Sequence, residues 1–241
     1  MPIDSLPAAI ASILSAQKEA GKPLAIVLAG HNGSGKSTMW YKHIADMIQI
    51  PLINADRMMK SILPEDPLPQ WASKIRDTDE SWMKVTQKGV EAFVAQAMAQ
   101  NVPFAMETVF SHWKDLGNGK FESKIDLIKQ MQMSGYFVLL IFVGLATQVL
   151  SEARVQSRFQ GGGHDVDRGK LVNRFPRTQK AIRIAGTVAD AAIFTDNSLE
   201  PKYAFTVCHV QMGLEEIYDC RNNNPNTPAS ILAWLNVVCP K

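Results

Sequence analysis

The chain has few cysteines, and their number and spacing exclude two kinds of small stabilised domain. Cys208, Cys220 and Cys239 are odd in number and contain no C-x-x-C pair. This pattern argues against a disulfide framework and against a structural zinc site. We therefore expect three reduced and mostly packed thiols, as in a cytoplasmic protein.

The sequence also lacks a dominant charge and a membrane-spanning run. Lys and Arg number 25 against 23 Asp and Glu among 241 residues, so no overall positive field recruits nucleic acid or an anionic membrane, although a local patch stays open. The most apolar run, residues 136–146, is too short to cross a bilayer, and residues 1–13 lack the basic start of a secretory signal. We expect a soluble, cytoplasmic protein without a nucleic-acid or membrane partner.

What the sequence does contain is a phosphate-binding loop. Gly30-His31-Asn32-Gly33-Ser34-Gly35-Lys36-Ser37 matches G-x-x-x-x-G-K-[ST] and follows the apolar run 24–29. The glycines let backbone N–H groups face nucleotide phosphates, Lys36 reaches the terminal phosphates, and Ser37 offers a hydroxyl to Mg²⁺. Thr38 opens a helix predicted over residues 38–47, whose N-terminus points at the same phosphates. The loop predicts nucleotide binding, with His31 as an incidental residue at a variable position.

Apolar strands alternate with helical patterns along the chain. Continuous apolar strands belong in a parallel sheet covered on both faces, so the fold class is α/β, a three-layer α/β/α arrangement with a mainly parallel sheet. Strands are predicted over residues 24–29, 50–54, 102–106, 136–143 and 191–195, with an edge strand over 205–210. Helices are predicted over residues 5–18, 81–99, 122–133, 147–160 and 229–238, with a basic helix-like segment ending at 186.

The length suits one domain, residues 1–241. Within it we expect four distinct segments. These are an N-terminal helix at residues 5–20, an insertion at 63–80, an arginine-rich lid at 154–180 and a C-terminal accessory segment at 199–241.

Polar side chains follow the predicted strands where a parallel sheet forms its ligand crevice. Asp56 comes just after the second strand, where it accepts a proton from an acceptor hydroxyl, helps to hold Mg²⁺, or caps a helix over residues 57–63. Glu107 follows a buried run, where it organises Mg²⁺ water or hydrogen-bonds an acceptor's hydroxyls. Thr108 and Ser111 add neutral donors for the substrate.

A basic segment with few acidic companions occupies residues 154–180. Arg154 and Arg158 share one helical face, and the glycines at 161–163 give backbone freedom beside them. Arginines that close over phosphate neutralise the charge of a transferring phosphoryl group, so we interpret this segment, which includes Arg174 and Arg177, as a lid. The alternative is a solvated basic face. His164 lacks a second histidine or cysteine nearby, which favours packing or hydrogen bonding over metal binding.

Two further features are ambiguous. Trp71 and Trp82 flank the insertion, where tryptophans more often pin a connector to the core than stack on a ligand ring. Asn197 follows the last apolar strand and either contacts an adenine edge or belongs to a simple turn.

With these motifs the chain resembles the zeta-toxin family of small-molecule kinases over about residues 24–198. The glycine-histidine and arginine-phenylalanine-proline-arginine motifs are far more specific than the loop. The matching pieces are Ala29 to Thr38 around the loop, Ile53-Asn54-Ala55-Asp56, Glu107-Thr108, Arg154-Val155 with Arg158, Gly162-Gly163-His164-Asp165-Val166, Arg174-Phe175-Pro176-Arg177 and Asp196-Asn197-Ser198.

The resemblance implies a P-loop kinase fold and ATP-dependent phosphorylation of a UDP-activated amino sugar such as UDP-N-acetylglucosamine. It implies Asp56 as the base for the sugar hydroxyl, and Arg158 with Arg174 or Arg177 as clamps on the ATP phosphates. It also implies Mg·ATP as the donor and a small antitoxin protein as a partner.

The residues alone leave other functions open, because a fold does not fix its acceptor. Related kinases act on other nucleotides or nucleotide-like molecules. A nucleotide-gated interaction protein would use the same loop as a switch, but Asp56 and Glu107 argue against it. A nucleic-acid end kinase is disfavoured by the near-neutral charge.

Overall fold

The computed structural model describes residues 3–65, 67–160 and 166–241. The predicted mobility of residues 161–163 and the predicted role of His164 lie outside these ranges. The described strands are β1 (Leu24–Gly30), β2 (Leu52–Ile53), β3 (Phe104–Thr108), β4 (Trp113–Gly117), β5 (Lys120–Ser123), β6 (Phe137–Gly144), β7 (Ala191–Asp196), β8 (Thr206–Met212) and β9 (Glu215–Asp219). The described α-helices are α1 (Leu6–Ala20), α2 (Lys36–Met39), α3 (Ala55–Ile62), α4 (Gln70–Asp77), α5 (Glu80–Ala99), α6 (Ile125–Met133), α7 (Gln148–Gln160), α8 (Arg168–Val188), α9 (Cys220–Asn223) and α10 (Ala229–Val238).

The main sheet is mostly parallel. Its strand order is β2-β3-β1-β6-β7-β8-β9, and the first five strands run parallel. β8 and β9 extend the sheet in antiparallel pairing. β1 lies between β3 and β6. The chain that follows β1 first forms β2 and β3 on one side of it, and later forms β6 and β7 on the other side. The crevice at its carboxyl end is therefore the expected ligand position of such a sheet.

Helices cover both faces of the sheet because side chains of the inner strands alternate between two apolar layers. Ala25 and Val27 of β1 belong to the layer formed with α5, α6, α8 and α10. Ile26 and Leu28 belong to the layer formed with α1 and the residues after the phosphate loop. β6 is buried on both faces, which explains its uninterrupted apolar sequence. The predicted three-layer α/β/α fold is confirmed.

Several predicted elements differ from the structure. α2 has only four residues and continues into a π-helical turn, Trp40–Ile44, in place of a regular helix over 38–47. The predicted helix over 122–133 begins later, because residues 120–123 pair with β4 in a hairpin. Asn118 and Gly119 form its two-residue turn with φ values of 53° and 72°. Asn-Gly favours such a turn, but the sequence-based prediction did not use this pair.

The carboxyl-terminal part of the sheet also departs from expectation. Residues 205–210 were predicted as an edge strand, but β8 pairs with β7 on one side and with β9 on the other. β9 was missed because it has only five residues, of which Glu215, Glu216 and Asp219 are acidic, and because these residues do not alternate regularly with apolar ones. It follows a tight turn at Gly213, whose φ is 56°. The three cysteines are free, with Cys208 and Cys220 buried and Cys239 partly exposed.

The two tryptophans of the insertion are not pinned to the core, which corrects the favoured interpretation. Trp71 is 57% exposed and Trp82 is 39% exposed. Trp71 lies on α4 and lines a surface depression with Phe159 at the end of α7. Stacking on a ligand ring stays a prediction.

Candidate active site

The phosphate loop joins β1 to α2 with its lysine turned inward. Lys36 is buried, and its Nζ donates to the carbonyl oxygens of Gly30 at 3.1 Å and His31 at 2.9 Å. Burial lowers the pKa of Lys36, the negative charges of Glu107 and Asp56 oppose that shift, and the charge of Arg158 adds to it. Residues far apart in the sequence therefore lie within electrostatic reach of the loop lysine.

Two loop positions require glycine. Gly33 and Gly35 adopt φ values of 70° and 90°, which L side chains rarely reach. A Cβ atom at Gly35 would lie 2.7 Å from Nδ2 of Asn197, and one at Gly33 would lie 3.0 Å from Cβ of Arg154. The glycines thus allow both the left-handed turn and the close approach of neighbouring elements.

The loop is also held from outside. Ser151 on α7 donates its hydroxyl to the carbonyl oxygen of Asn32 at 2.6 Å, and Asn197 after β7 donates its amide to the carbonyl oxygen of Ser34 at 2.8 Å. Both bonds use carbonyl oxygens of the loop and none of its N–H groups. The contact of Asn197 with the loop was not foreseen, and its adenine contact stays a prediction.

Ser37 and Glu107 meet at the mouth of the loop. The Ser37 hydroxyl donates to Oε2 of Glu107 at 2.8 Å, and the Asn54 amide donates to the same oxygen at 2.6 Å. Glu107 reaches this place because β3 lies beside β1, with Leu28 opposite Glu107 in the parallel register. A hydroxyl and a carboxylate side by side offer the hard oxygen ligands that Mg²⁺ prefers.

Asp56 lies in the first turn of α3 and is exposed. The helix cap that the sequence offered as its alternative role belongs to Asn54, whose side-chain oxygen accepts from the backbone N–H of Asp56 at 2.8 Å and of Arg57 at 3.3 Å. This corrects the alternative and leaves the Asp56 carboxylate outside the cap. Asn54 was missed as a site residue, although an asparagine directly after a strand is a common cap signal.

Thr108 and Ser111 have different surroundings. Thr108 ends β3, is buried, and accepts hydrogen bonds from the backbone N–H of Phe110 and from Nζ of Lys124. Phe110 adopts a φ of 61° with its ring buried, which turns the chain sharply away from the strand. Ser111 follows this turn and is partly exposed. Their substrate contacts stay predictions.

The arginines divide into two groups by their charged neighbours. Arg158 lies at the exposed end of α7, and its positive charge lowers the pKa of Lys36. Arg174, half-buried on α8, has Arg177 and Asp56 as its charged neighbours, and burial is the main cause of its lowered pKa. Arg177 donates from Nε to the carbonyl oxygen of Asn173 at 3.0 Å. Arg158 is therefore within electrostatic reach of Lys36, whereas Arg174 is within electrostatic reach of Asp56 and also lines a depression with His31 and Asn32 of the loop.

His31 is not incidental, which corrects the sequence-based interpretation. Its ring stacks on Phe175 of α8 at a centroid distance of 3.8 Å and meets the edge of Phe142 at 5.6 Å. Burial, aided by the charge of Lys36, lowers the pKa of His31 to about 3, and neither ring nitrogen has a hydrogen-bond partner among the described residues. A neutral aromatic ring thus joins the phosphate loop to the arginine-bearing helix. No local pattern reveals such a distant contact.

The fold and this site define a P-loop nucleotide-binding protein of the kinase type. Residues 8–197 match the family model described as Zeta toxin, and the chain belongs to the Zeta toxin family. The family and the fold together support a phosphotransferase that uses a nucleotide. Among the helices of the described residues, none combines the length and apolar character that a bilayer crossing requires.

One protein is similar to this chain in sequence, and two solved structures are similar to it in fold. The chain is 31% identical over 140 residues to an uncharacterized protein of Haemophilus influenzae, over 58% of this chain and 84% of that protein. A structure from the PezAT chromosomal toxin-antitoxin system of Streptococcus pneumoniae has a TM-score of 0.54 and 14% identity, with 95% of this chain and 85% of that chain covered. The AvrRxo1-ORF1:-ORF2 structure with ATP has a TM-score of 0.59 and 13% identity, over 97% of this chain and 70% of that chain. At such identities the two structures show the fold alone.

Proposed function

We propose that the protein transfers the γ-phosphoryl group of ATP to a hydroxyl of a small molecule, and that this acceptor is a UDP-activated amino sugar such as UDP-N-acetylglucosamine. The proposal rests on a pair of carboxylates, those of Asp56 and Glu107. Their negative charges raise the pKa of the buried loop lysine Lys36 and so oppose the effect of burial. One carboxylate contacts the loop hydroxyl, and the other is exposed on α3. We assign the exposed Asp56 carboxylate to the acceptor hydroxyl, whereas a hydrolytic switch would use such a group to position water.

In the proposed reaction, Asp56 accepts the proton of the acceptor hydroxyl. The hydroxyl oxygen forms a bond with the γ-phosphorus while the bond to the leaving oxygen of ADP breaks. Lys36 and Arg158 stabilise the negative charge on the transferring group, and the loop N–H groups hold the remaining phosphates. Positioning and electrostatics supply most of the acceleration in this type of reaction.

The residues at the mouth of the loop fit a magnesium ion. The Ser37 hydroxyl and the Glu107 carboxylate are 2.8 Å apart and both supply oxygen ligands, while Asn54 orients the carboxylate. Bound there, Mg²⁺ would neutralise charge on the ATP phosphates. In this role Glu107 would help to bind the Mg²⁺ of the phosphate donor, ATP. In the alternative role it would form a hydrogen bond with the acceptor.

We extend the proposal to a protein partner, a small antitoxin, because the family and the PezAT relative come from toxin-antitoxin biology. The test is induced expression in bacteria. The wild-type chain should arrest growth, an Asp56→Asn variant made at the same level should not, and co-expression of the neighbouring reading frame should relieve the arrest. Equal growth with both chains would contradict a toxic kinase.

The kinase proposal is tested with ATP labelled by ¹⁸O in its γ-phosphoryl group. The protein, labelled ATP and Mg²⁺ are incubated with UDP-N-acetylglucosamine, or with a metabolite extract, and the products are analysed by mass spectrometry. We expect a product heavier by one labelled phosphoryl group, and none with Asp56→Asn. Release of labelled inorganic phosphate without a labelled acceptor would refute the kinase and favour a hydrolytic switch.

A further inference from the structure

Asn54 joins the two carboxylate-bearing parts of the site through one side chain. It lies between β2 and α3 and is 9% exposed. Its amide nitrogen Nδ2 donates to Oε2 of Glu107 at 2.6 Å. Its amide oxygen Oδ1 accepts from the backbone N–H of Asp56 at 2.8 Å and of Arg57 at 3.3 Å. Because an amide group is planar and rigid, these bonds fix the Glu107 carboxylate relative to the first turn of α3.

Capping of α3 does not by itself require the amide of Asn54. A cap needs only a side-chain oxygen that accepts from a backbone N–H, and Asn, Asp and Ser provide it about equally well. Of these three residue types, only asparagine presents a separate N–H donor beside the capping oxygen. In this structure that additional donor is directed to Glu107. The side chain therefore makes a contact that capping does not explain, and the contact is with a residue at the mouth of the phosphate loop.

The hydrogen bonds of Glu107 converge on one of its two oxygens. The Ser37 hydroxyl donates to Oε2 at 2.8 Å, and the Asn54 amide donates to the same oxygen. Within the part of the chain that the structure describes, Oε1 has no hydrogen-bond partner. Asn54 and Ser37 thus orient the carboxylate and leave Oε1 as the oxygen that a cation can use.

A second contact holds the start of α3 near the loop, but it is weaker. The Arg57 guanidinium lies 4.7 Å from the ring centroid of Tyr41, which follows Ser37 by four residues. Both side chains are exposed, and cation–π contacts at exposed positions contribute little. Hydrogen bonds of a buried amide are stronger, because water does not compete with them. Of these two links between α3 and the loop, the Asn54 side chain is the one that restrains the helix start.

We infer that Asn54 is a positioning residue, which holds the proposed base, Asp56, and the proposed magnesium ligand, Glu107, in one geometry. This inference rests on the proposed kinase function. The amide oxygen fixes the backbone from which the Asp56 carboxylate extends, and the amide nitrogen fixes Oε2 of Glu107. Residues that hold a metal ligand in place commonly change metal affinity by about ten- to a hundredfold when they are substituted.

Two substitutions separate the two ends of the amide. Asn54→Ser keeps an oxygen for the cap but loses the amide N–H donor, whereas Asn54→Ala loses both. Binding of a non-hydrolysable ATP analogue is measured by calorimetry with and without Mg²⁺. We expect both variants to bind about tenfold more weakly than the wild type with Mg²⁺, and equally well without it. Wild-type affinity of Asn54→Ser in the presence of Mg²⁺ would overturn the role of the amide nitrogen.

The role of the amide oxygen is measured by amide hydrogen exchange and by the transfer rate. Exchange at Asp56 and Arg57 should be about fivefold faster in Asn54→Ala than in the wild type, as for the loss of one helix cap, and near the wild-type rate in Asn54→Ser. Single-turnover transfer should be about tenfold slower in Asn54→Ala than in Asn54→Ser, because the base shifts relative to the loop. Equal transfer rates in the two variants would overturn the positioning of Asp56. Asn54→Ser retains the cap, so it stays informative if Asn54→Ala does not fold.

Asp79→Ala is the matched control, because Asp79 caps α5 by accepting from the backbone N–H of Ser81 at 2.9 Å. It should lower the melting temperature by about 2–4 °C, as Asn54→Ala should, and leave analogue affinity and transfer unchanged. A loss of transfer equal to that of Asn54→Ala would show an effect of general stability and overturn the inference. If no acceptor is phosphorylated, the kinase proposal fails, whereas analogue affinity and amide exchange still decide the role of Asn54.

Discussion

The phosphate loop and the acceptor side of the crevice are built differently. Inside the loop region, neighbouring elements supply direct bonds: Lys36 contacts loop carbonyls, and Ser151 and Asn197 hold the loop from two other elements. On the acceptor side, the charge of Asp56 acts on the pKa of Arg174, and the two side chains form no ion pair among the described residues. The comparison indicates a nucleotide half that is formed in advance and an acceptor half that a ligand completes.

Asp56→Asn should give the largest effect, because Asp56 is the proposed base for the acceptor hydroxyl. Asparagine keeps the size and hydrogen bonding but cannot take a proton, so phosphoryl transfer should fall by about a hundred- to ten-thousandfold. Single-turnover assays with labelled ATP measure the transfer step, and fluorescent ATP-analogue titration measures affinity. If ATP affinity collapses together with transfer, Asp56 belongs to the magnesium shell.

Lys36→Ala should cost about a hundredfold or more in transfer, comparable to the loss of one preorganised charge-stabilising group. The fold should remain, because replacing a desolvated lysine removes a buried charge. Steady-state kinetics with circular dichroism checks both statements. Lys42→Ala, an exposed lysine of the adjoining π-helical turn, is the control and should keep wild-type turnover. Wild-type turnover in Lys36→Ala would remove the loop from the mechanism.

The two halves also differed in how far the sequence revealed them. The loop, β1 and the apolar core strands were predictable because a fixed motif and continuous apolar runs are local signals. The strand-end residues Asp56 and Glu107 were identified from position alone. Contacts between distant segments, such as His31 with Phe175 and Lys124 with Thr108, were not predictable, because they depend on how α8 and α6 pack against the sheet.

Arg158→Ala and Arg177→Ala test whether the arginine-rich segment, residues 154–180, serves phosphoryl transfer more than acceptor binding. Both should depress the chemical step by about tenfold or more and change acceptor binding less, since guanidinium contacts strengthen as charge develops on the γ-phosphoryl group. Pre-steady-state quench experiments separate the step from binding. Arg183→Ala, farther along α8, serves as the control. Unaltered kinetics in both variants would return the segment to a solvated basic face.

His31 of the phosphate loop contacts α8, which bears Arg174, so we expect its substitution to have a moderate effect on catalysis. His31→Ala removes the ring that stacks on Phe175 and should lower kcat by about tenfold with a smaller change in the ATP KM, because the adjacent arginine moves relative to the loop. His31→Phe retains an aromatic ring without unpaired nitrogens and should recover most of the loss. Equal defects in the two variants would show that the imidazole itself, and not its stacking, is required.

A separate effect is expected on stability at acidic pH, because the buried site of His31 disfavours the protonated imidazole. Its pKa is about 3 in the folded protein against 6.5 for the ordinary group, so below pH 6.5 the unfolded chain binds a proton that the folded chain does not. The contribution of His31 to the free energy of unfolding is therefore fully present above pH 6.5, and it falls progressively as the pH is lowered toward 3. Between pH 7 and pH 5 the loss amounts to about 2 kcal/mol, at 1.4 kcal/mol for each unit below the unfolded pKa. Urea unfolding of the wild type and His31→Phe at the two pH values measures it. The other titrating groups are common to both proteins, so the variant should lose about 2 kcal/mol less, and equal losses would mean that His31 is protonated in the folded state.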